Sequence, residues 1–191
     1  MSLIDMHIHI SGRSSCSILS EQQLYNNLSP RLDGICITDH WVLKPIKQMS
    51  FYGFQVHFGV ELRCNQGDII AYGLKRLPSK DLNGRRILQF IHEQDAVAVC
   101  AHPFSQRHCA FGESVYNYDF DAIELNGAIG KKANQLAKEA SQIMDIPTTG
   151  GSDSHSKDQL NTIATQFGEK IFSLIDIKRA IKKGKCKAVY V

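Results

Sequence analysis

The chain has 191 residues, which suffices for one domain with a substantial core but is short for two ordinary domains. Its composition, 43% hydrophobic and 21% charged, is that of a globular protein, and its net charge of +3 falls well short of a nucleic-acid-binding stripe. It has neither an apolar run of the roughly 18–20 residues that cross a bilayer nor the pattern of a signal peptide, so we expect a cytoplasmic protein without a membrane partner.

Short apolar runs alternate with longer amphipathic segments along the chain. The runs predict strands over residues 3–9, 34–39, 55–62, 68–73, 96–101, 122–126, 147–152 and 186–191. The amphipathic segments predict helices over residues 20–32, where Ser20 and Gln23 form a capping box, and over residues 84–94, 130–144 and 173–183. This alternation predicts a parallel α/β sheet or barrel, in which functional residues gather at the carboxyl ends of the strands.

The first predicted strand carries three polar residues on one face. Asp5, His7 and His9 point to the same side because strand side chains alternate between the two faces. Near the other end of the chain, Asp153 and His155 repeat this spacing. Two such sets, far apart in sequence, predict a metal centre assembled by the fold.

Three further predicted strands lead to residues that bind metals in other proteins: His40, Glu61 and His102. Each histidine alone is equally well explained as an ordinary half-buried residue. Glu61 follows a strongly apolar run, and burying its charge is costly unless it meets a cation. Together these residues predict a centre for Zn, Mn or Fe, with more ligands than one ion needs and with Glu61 able to bridge two ions.

An ordered set of short motifs resembles the PHP family, the polymerase and histidinol phosphatase domains. The motifs are Asp5-Met6-His7-Ile8-His9, Ser14-Ser15-Cys16-Ser17, Ile37-Thr38-Asp39-His40, Gly59-Val60-Glu61, Ala101-His102-Pro103-Phe104, Ile123-Glu124-Leu125-Asn126 and Gly151-Ser152-Asp153-Ser154-His155. The resemblance covers nearly the whole chain and implies a single PHP domain over residues 1–191. It also implies a distorted (β/α)7 TIM-like barrel, two or three divalent ions at the C-terminal ends of its strands, and hydrolysis of phosphate esters.

The resemblance implies ligand roles at the matching positions. The first ion would be bound by His7, His9, Glu61 and Asp153, the second by Glu61 and His102, and the third by His40 and His155. The chain departs from the family at two positions. Asp68 stands where members often have a histidine, which makes it a candidate ligand of the second ion, and Ser15 stands where many have Asp or His, which predicts a weak third site.

The expected mechanism is attack on phosphorus by a metal-activated water. The predicted catalytic residues are Glu61, Asp153 and Arg107. The predicted substrate contacts are Arg13, Arg107, His108 and Asn126. Arg13, Arg107 and His108 lie in loops after metal-bearing strands, where each is alternatively a plain surface residue. Asn126 fits a role in orienting a ligand or the substrate better than a role in binding metal.

The expected function is hydrolysis of a small phosphorylated metabolite or nucleotide. The first alternative is a nuclease or exonuclease acting on nucleic-acid ends, for which a basic groove and stacking aromatic side chains are expected. The second alternative is a non-catalytic, metal-stabilised domain that binds a partner. The sequence leaves the substrate open because specificity resides in loops.

Overall fold

A computed structural model describes residues 1–46, 53–106 and 109–191 of the protein. These ranges contain ten strands: β1 (Ser2–Ile8), β2 (Gly34–Ile37), β3 (Gln55–Phe58), β4 (Val60–Cys64), β5 (Gly67–Tyr72), β6 (Val97–Cys100), β7 (Ala122–Asn126), β8 (Thr148–Gly151), β9 (Ile163–Phe167) and β10 (Cys186–Tyr190). They also contain four α-helices: α1 (Glu21–Asn27), α2 (Gly84–Glu93), α3 (Lys131–Met144) and α4 (Leu174–Lys182).

The strands form two five-stranded sheets. The first sheet has the order β10-β9-β1-β2-β3, with β9 antiparallel to both neighbours and the other pairs parallel. The second has the order β4-β5-β6-β7-β8, with β5 antiparallel to both neighbours and the other pairs parallel. Parallel strands therefore make up only part of each sheet.

The predicted (β/α)7 barrel is wrong, because the described strands form these two sheets rather than one closed barrel. The strand predicted over residues 55–62 divides at Gly59 into β3 and β4, which belong to different sheets. Only Asn65 and Gln66 separate β4 from β5. A link this short allows an antiparallel hairpin but not the crossover of a dozen or more residues that a parallel pair requires. The antiparallel strand β9 lies where no strand was predicted.

The four predicted helices are confirmed, with shifts at their ends. The predicted capping box opens α1: Ser20 Oγ accepts from Gln23 N–H, and Gln23 Oε1 accepts from Ser20 N–H. This helix ends at Asn27 rather than near residue 32. Pro30 follows closely, and proline has no N–H with which to continue a helix.

The helices cover the sheets with apolar side chains. Ile87 and Ile91 of α2 share one buried cluster with residues of β4–β6, and Ile177 of α4 belongs to a second cluster with Met6 of β1. Leu24 of α1 belongs to a third cluster, with residues of β1 and β2. Within the described ranges, no helix is both long and apolar enough to span a membrane.

Hydrogen bonds outside the ladders join the two sheets near the ends of β1 and β2. The N–H of His9 donates to the carbonyl of Ser154, just after β8, over 3.0 Å. The N–H of Trp41 donates to the carbonyl of Glu61 in β4, also over 3.0 Å. These contacts bring residues from four distant segments to one place.

Candidate metal centre

Four side chains converge at this place, and we call them the inner group: His7, His9, Glu61 and Asp153. His7 Nε2 lies 3.0 Å from His9 Nε2, and the two Nε2 atoms lie 3.2–3.5 Å from Glu61 Oε2 and 3.4 Å from Asp153 Oδ1. Ligands at about 2.0–2.1 Å from a tetrahedral zinc ion are themselves about 3.3–3.4 Å apart. The spacing of His7, His9 and Asp153 therefore fits a single divalent ion, with a Glu61 oxygen beside both imidazoles.

The local chain geometry lets these side chains approach. His7 and His9 share a face of β1, as predicted, and Gly151 lies directly against His7. A Cβ at position 151 would collide with both the Cβ and the backbone nitrogen of His7. Asp153 follows with a φ of +53°, in the left-handed region that non-glycine residues rarely adopt. Strain of this kind is characteristic of functional sites.

Hydrogen bonds fix which nitrogen of His7 carries its proton. His7 Nδ1 lies 2.7 Å from Glu124 Oε1. The other oxygen, Glu124 Oε2, accepts the N–H of His102 and an amide N–H of Asn126. Because the carboxylate acts as acceptor throughout, His7 donates from Nδ1, and the Nε2 of the neutral ring carries a lone pair.

His9 is fixed in the same way through Ser14. Ser14 Oγ donates its hydrogen to Asp39 Oδ1 over 2.9 Å, so it accepts from His9 Nδ1, 3.0 Å away. The two neutral imidazoles thus turn Nε2 lone pairs towards each other at 3.0 Å. Facing lone pairs repel unless a proton or a metal ion lies between them, so the two nitrogens are placed to share one cation.

The charges of the inner group agree with this conclusion. Burial alone would raise the pKa of Glu61, but His7, His102 and His9 hold it well below its usual value. Burial opposes ionisation of Asp153 too, yet His7 and His9 lower its pKa. Burial lowers the pKa of His7 but is outweighed by carboxylates, so the metal-free ring attracts a proton. Two carboxylates and two imidazoles match the charge and chemistry of a divalent ion.

A second set, the side group, consists of Glu61, Asp68 and His102. His102 Nε2 lies 3.3 Å from Glu61 Oε1 and 3.8 Å from Asp68 Oδ2. Burial lowers the pKa of His102, but hydrogen bonding to Glu61 raises it to about 9. Asp68 is also paired with Arg63, a residue that the sequence analysis missed. The sequence carries a signal for this pair, because oppositely charged residues flank the short turn at residues 64–67.

A third set, the outer group, consists of His9, Cys16, His40 and His155, whose potential ligand atoms lie within 4.8 Å of one another. His155 Nδ1 donates to the carbonyl of Asp153 over 2.9 Å, which leaves its Nε2 unprotonated in the neutral ring. Burial lowers the pKa of His40 to about 4 and also lowers that of His155. Both imidazoles are therefore neutral, and able to bind a metal, near pH 7.

A cavity of about 370 Å³ opens over the three groups. It is lined by Ser15, Cys16, His40, Trp41, Glu61, Arg63, His102, Asp153 and His155. Trp41 is an aromatic wall that the sequence analysis did not identify. Every predicted metal ligand except His7, His9 and Asp68 lines this cavity, and those three are buried behind it.

The predicted substrate contacts occupy different environments. Arg13 Nε donates to Asp39 Oδ2 over 2.6 Å, and its Nη2 donates to the carbonyl of Lys44, so its guanidinium is held within the protein. Asn126 is fully buried and donates to Glu124, which favours orientation of a ligand over contact with substrate. Arg107 and His108 lie outside the described residues, so their roles remain predictions.

The sequence profile of a family described as PHP-associated matches residues 131–186, a range that includes Asp153 and His155. This match supports assigning the chain to the PHP family. The resemblance predicted from the motifs is therefore confirmed. Among curated proteins, the chain is 28% identical over 101 residues to the uncharacterized protein MJ1587 of Methanocaldococcus jannaschii. The match covers 51% of the chain and 59% of that relative, so the chain spans about three fifths of the relative's length.

Solved structures share the fold at low identity. PsfC from Pseudomonas syringae PB-5123 matches with a TM-score of 0.78 and 15% identity, covering 100% of this chain and 91% of PsfC. A Bifidobacterium adolescentis protein named as a metal-dependent phosphoesterase matches with a TM-score of 0.63 and 13% identity, covering 95% of this chain and 96% of that protein. An amidohydrolase from Chromobacterium violaceum, with sulfate bound and no metal, matches with a TM-score of 0.53 and 13% identity, covering 80% of this chain and 87% of that protein.

Proposed function

We propose that this protein is a metal-dependent phosphoesterase that hydrolyses a small phosphorylated metabolite or a nucleotide in the cytoplasm. The observation that carries the proposal is the inner group, where the Nε2 atoms of two buried imidazoles lie within 3.5 Å of an oxygen of Glu61 and an oxygen of Asp153. The phosphoesterase name of a protein with the same fold adds support for this reaction class.

A divalent ion bound here would supply Lewis acidity and lower the pKa of a bound water. The chain's own residues hold that chemistry in place. Glu124 and Ser14 fix the ring orientations of His7 and His9. Glu61 and Asp153 are ionised, and Glu61 reaches both the inner and the side group through its two oxygens. We assign catalytic roles to Glu61 and Asp153, and keep Arg107 as a further candidate.

The shape and lining of the cavity support a small anionic substrate. Its volume of about 370 Å³ suits a metabolite or a mononucleotide. Trp41 offers an aromatic face on which a base can stack. The ammonium group of Lys80 is close to the same ring, with its Nζ 5.5 Å from the ring centre. Phe111, Tyr118 and Phe120, which a nuclease could use for stacking, instead pack against one another.

The test is a substrate panel with the protein loaded with Mn²⁺ or Zn²⁺. Aryl phosphomonoesters, diesters, nucleotides and single-stranded oligonucleotides should be compared for wild type and His7→Ala. We expect the highest kcat/KM on a monoester or nucleotide, and loss of that activity in the variant. A clear preference for oligonucleotides would support the nuclease alternative. If wild type and variant are equally inert across the panel, the non-catalytic alternative holds.

A further inference from the structure

Arg63 and Asp68 are paired positions across the β4–β5 hairpin. Arg63 Nε donates to Asp68 Oδ1 over 2.9 Å, and Nη2 donates to Oδ2 over 3.0 Å. This two-bond geometry is the strongest and most directional form of a guanidinium–carboxylate contact. A cation of the protein therefore already contacts the carboxylate that the side group would offer to a metal.

Asp68 needs a cationic partner in this position. It is fully buried, and an ionised carboxylate removed from water requires compensation. Both of its oxygens accept from Arg63, while the nearest imidazole nitrogen, His102 Nε2, is 3.8 Å from Oδ2. Arg63 is thus the closest positive charge to Asp68 in the part of the chain that the structure describes.

The charge balance around the inner and side groups favours one ion over two. One divalent ion in the inner group would balance Glu61 and Asp153, and Arg63 balances Asp68. A further buried carboxylate, Glu124, accepts N–H groups on both oxygens. A second divalent ion in the side group would lie beside the guanidinium without a further carboxylate to offset it, so the two positive charges would repel.

We propose that Arg63 takes the place of a second divalent ion in this centre and that its outward N–H groups bind an anionic oxygen of the phosphate ester. The side chain of Arg63 is 54% exposed and lines the same cavity as Glu61 and His102. The contact with Asp68 uses Nε and Nη2, which leaves Nη1 for a substrate oxygen. The substrate contact rests on the proposed function, whereas the count of ions does not.

The first experiment counts bound ions by elemental analysis and Mn²⁺ titration of protein whose fold is verified by circular dichroism. Removing the guanidinium in Arg63→Met should increase the number of metal ions bound per protein by about one, because Asp68 becomes available as a ligand. The double variant Arg63→Met/Asp68→Asn should return to the wild-type number. Equal ion numbers in wild type and a folded Arg63→Met variant would overturn the proposal.

Asp68→Asn gives a second, independent count if Arg63→Met does not fold. Arg63 holds Asp68 in the wild type, so we expect Asp68→Asn to bind as many ions as the wild type. Loss of one ion in this variant would make Asp68 a metal ligand and would overturn the proposal. These measurements require no turnover, so an inert protein would contradict the proposed function without affecting the count.

The substrate contact is tested with inorganic phosphate binding to Mn²⁺-loaded protein, measured by calorimetry. Asp68→Asn and Arg63→Met/Asp68→Asn are the matched pair, because both lack the carboxylate and only the first keeps the guanidinium. We expect about tenfold or more weaker binding in the double variant, the size of a lost charge-assisted hydrogen bond. Equal phosphate affinity in the pair would overturn this part of the proposal.

Discussion

The inner and outer groups share His9 but differ in how firmly their ligands are held. In the inner group, His7 is fully buried and the side chains of Glu61 and Asp153 are at most 3% exposed. In the outer group, His40 and His155 are 24% and 21% exposed. Buried ligands whose orientation is fixed by hydrogen bonds lose less freedom on binding a metal. We therefore expect tight metal binding in the inner group and weaker, exchangeable binding in the outer group.

The largest expected effect is that of His7→Ala, which removes a proposed inner ligand and one of the hydrogen-bond donors to Glu124. We expect loss of the tightly bound ion and a fall in activity of more than about 100-fold, since losing an orienting partner alone typically costs 10–100-fold. Metal content after dialysis and kcat/KM are the measurements. His155→Ala should lose less bound metal and less activity than His7→Ala, and His92→Ala, on α2, should retain the metal and the activity. Equal effects of His7→Ala and His155→Ala would remove the distinction between the groups.

The next largest effect is expected from a change that leaves His7 in place but alters what orients its ring. Glu124→Gln removes the charge that accepts the Nδ1 proton, so we expect metal affinity to fall by about 10–100-fold. Competition with a chromophoric chelator measures this. Glu139→Gln, an exposed position on α3, is the matched control and should bind metal like the wild type. An unchanged affinity in Glu124→Gln would show that burial alone orients the ring.

Cys16 distinguishes the outer group from the inner group by the metal that its thiolate would favour. A thiolate favours zinc over manganese, and Cys16 belongs to the outer group alone. In Cys16→Ser we expect zinc affinity at the weaker site to fall on the order of tenfold, about 1.4 kcal/mol, with manganese affinity little changed. Paired titrations with the two metals measure it, with Cys109→Ser as the exposed-cysteine control. An equal fall in the affinities for zinc and manganese would exclude a thiolate ligand.

The smallest effect concerns a histidine remote from the centre. His92 Nε2 contacts Asp121 Oδ2 at 3.1 Å, and this hydrogen bond raises the pKa of His92 above its ordinary value of 6.5. A raised histidine pKa stabilises the fold fully below the ordinary value, and the stabilisation is lost as pH rises through the raised value.

His92→Gln should therefore reduce the free energy of unfolding at about pH 5 and change it less at about pH 9. The difference should stay below about 1 kcal/mol because the pair is partly exposed. Urea unfolding at the two pH values checks this. A larger loss at the higher pH would contradict the assignment.

Local sequence patterns predicted most strands and all four helices, including the capping box at Ser20. They also predicted which polar residues share a face, and the structure brings His7, His9, Glu61 and Asp153 together. Their roles as metal ligands remain predictions. The barrel was wrong because an apolar run through residue 59 does not show that the chain changes sheets there. The Ser14–Asp39 support of His9 was not identified, because serine has no distinctive ligand pattern.

The local features of this protein can be read from its sequence: the strand and helix segments, and the faces on which ligand-type residues lie. These follow from side-chain alternation and helix periodicity, which depend on neighbours in the chain. The tertiary structure decided the pairing of strands into two sheets, the tautomers of His7 and His9, and the contact of Arg63 with Asp68. These depend on how segments pack in space, where the alternative partners for one residue are many and only the complete set of contacts selects among them.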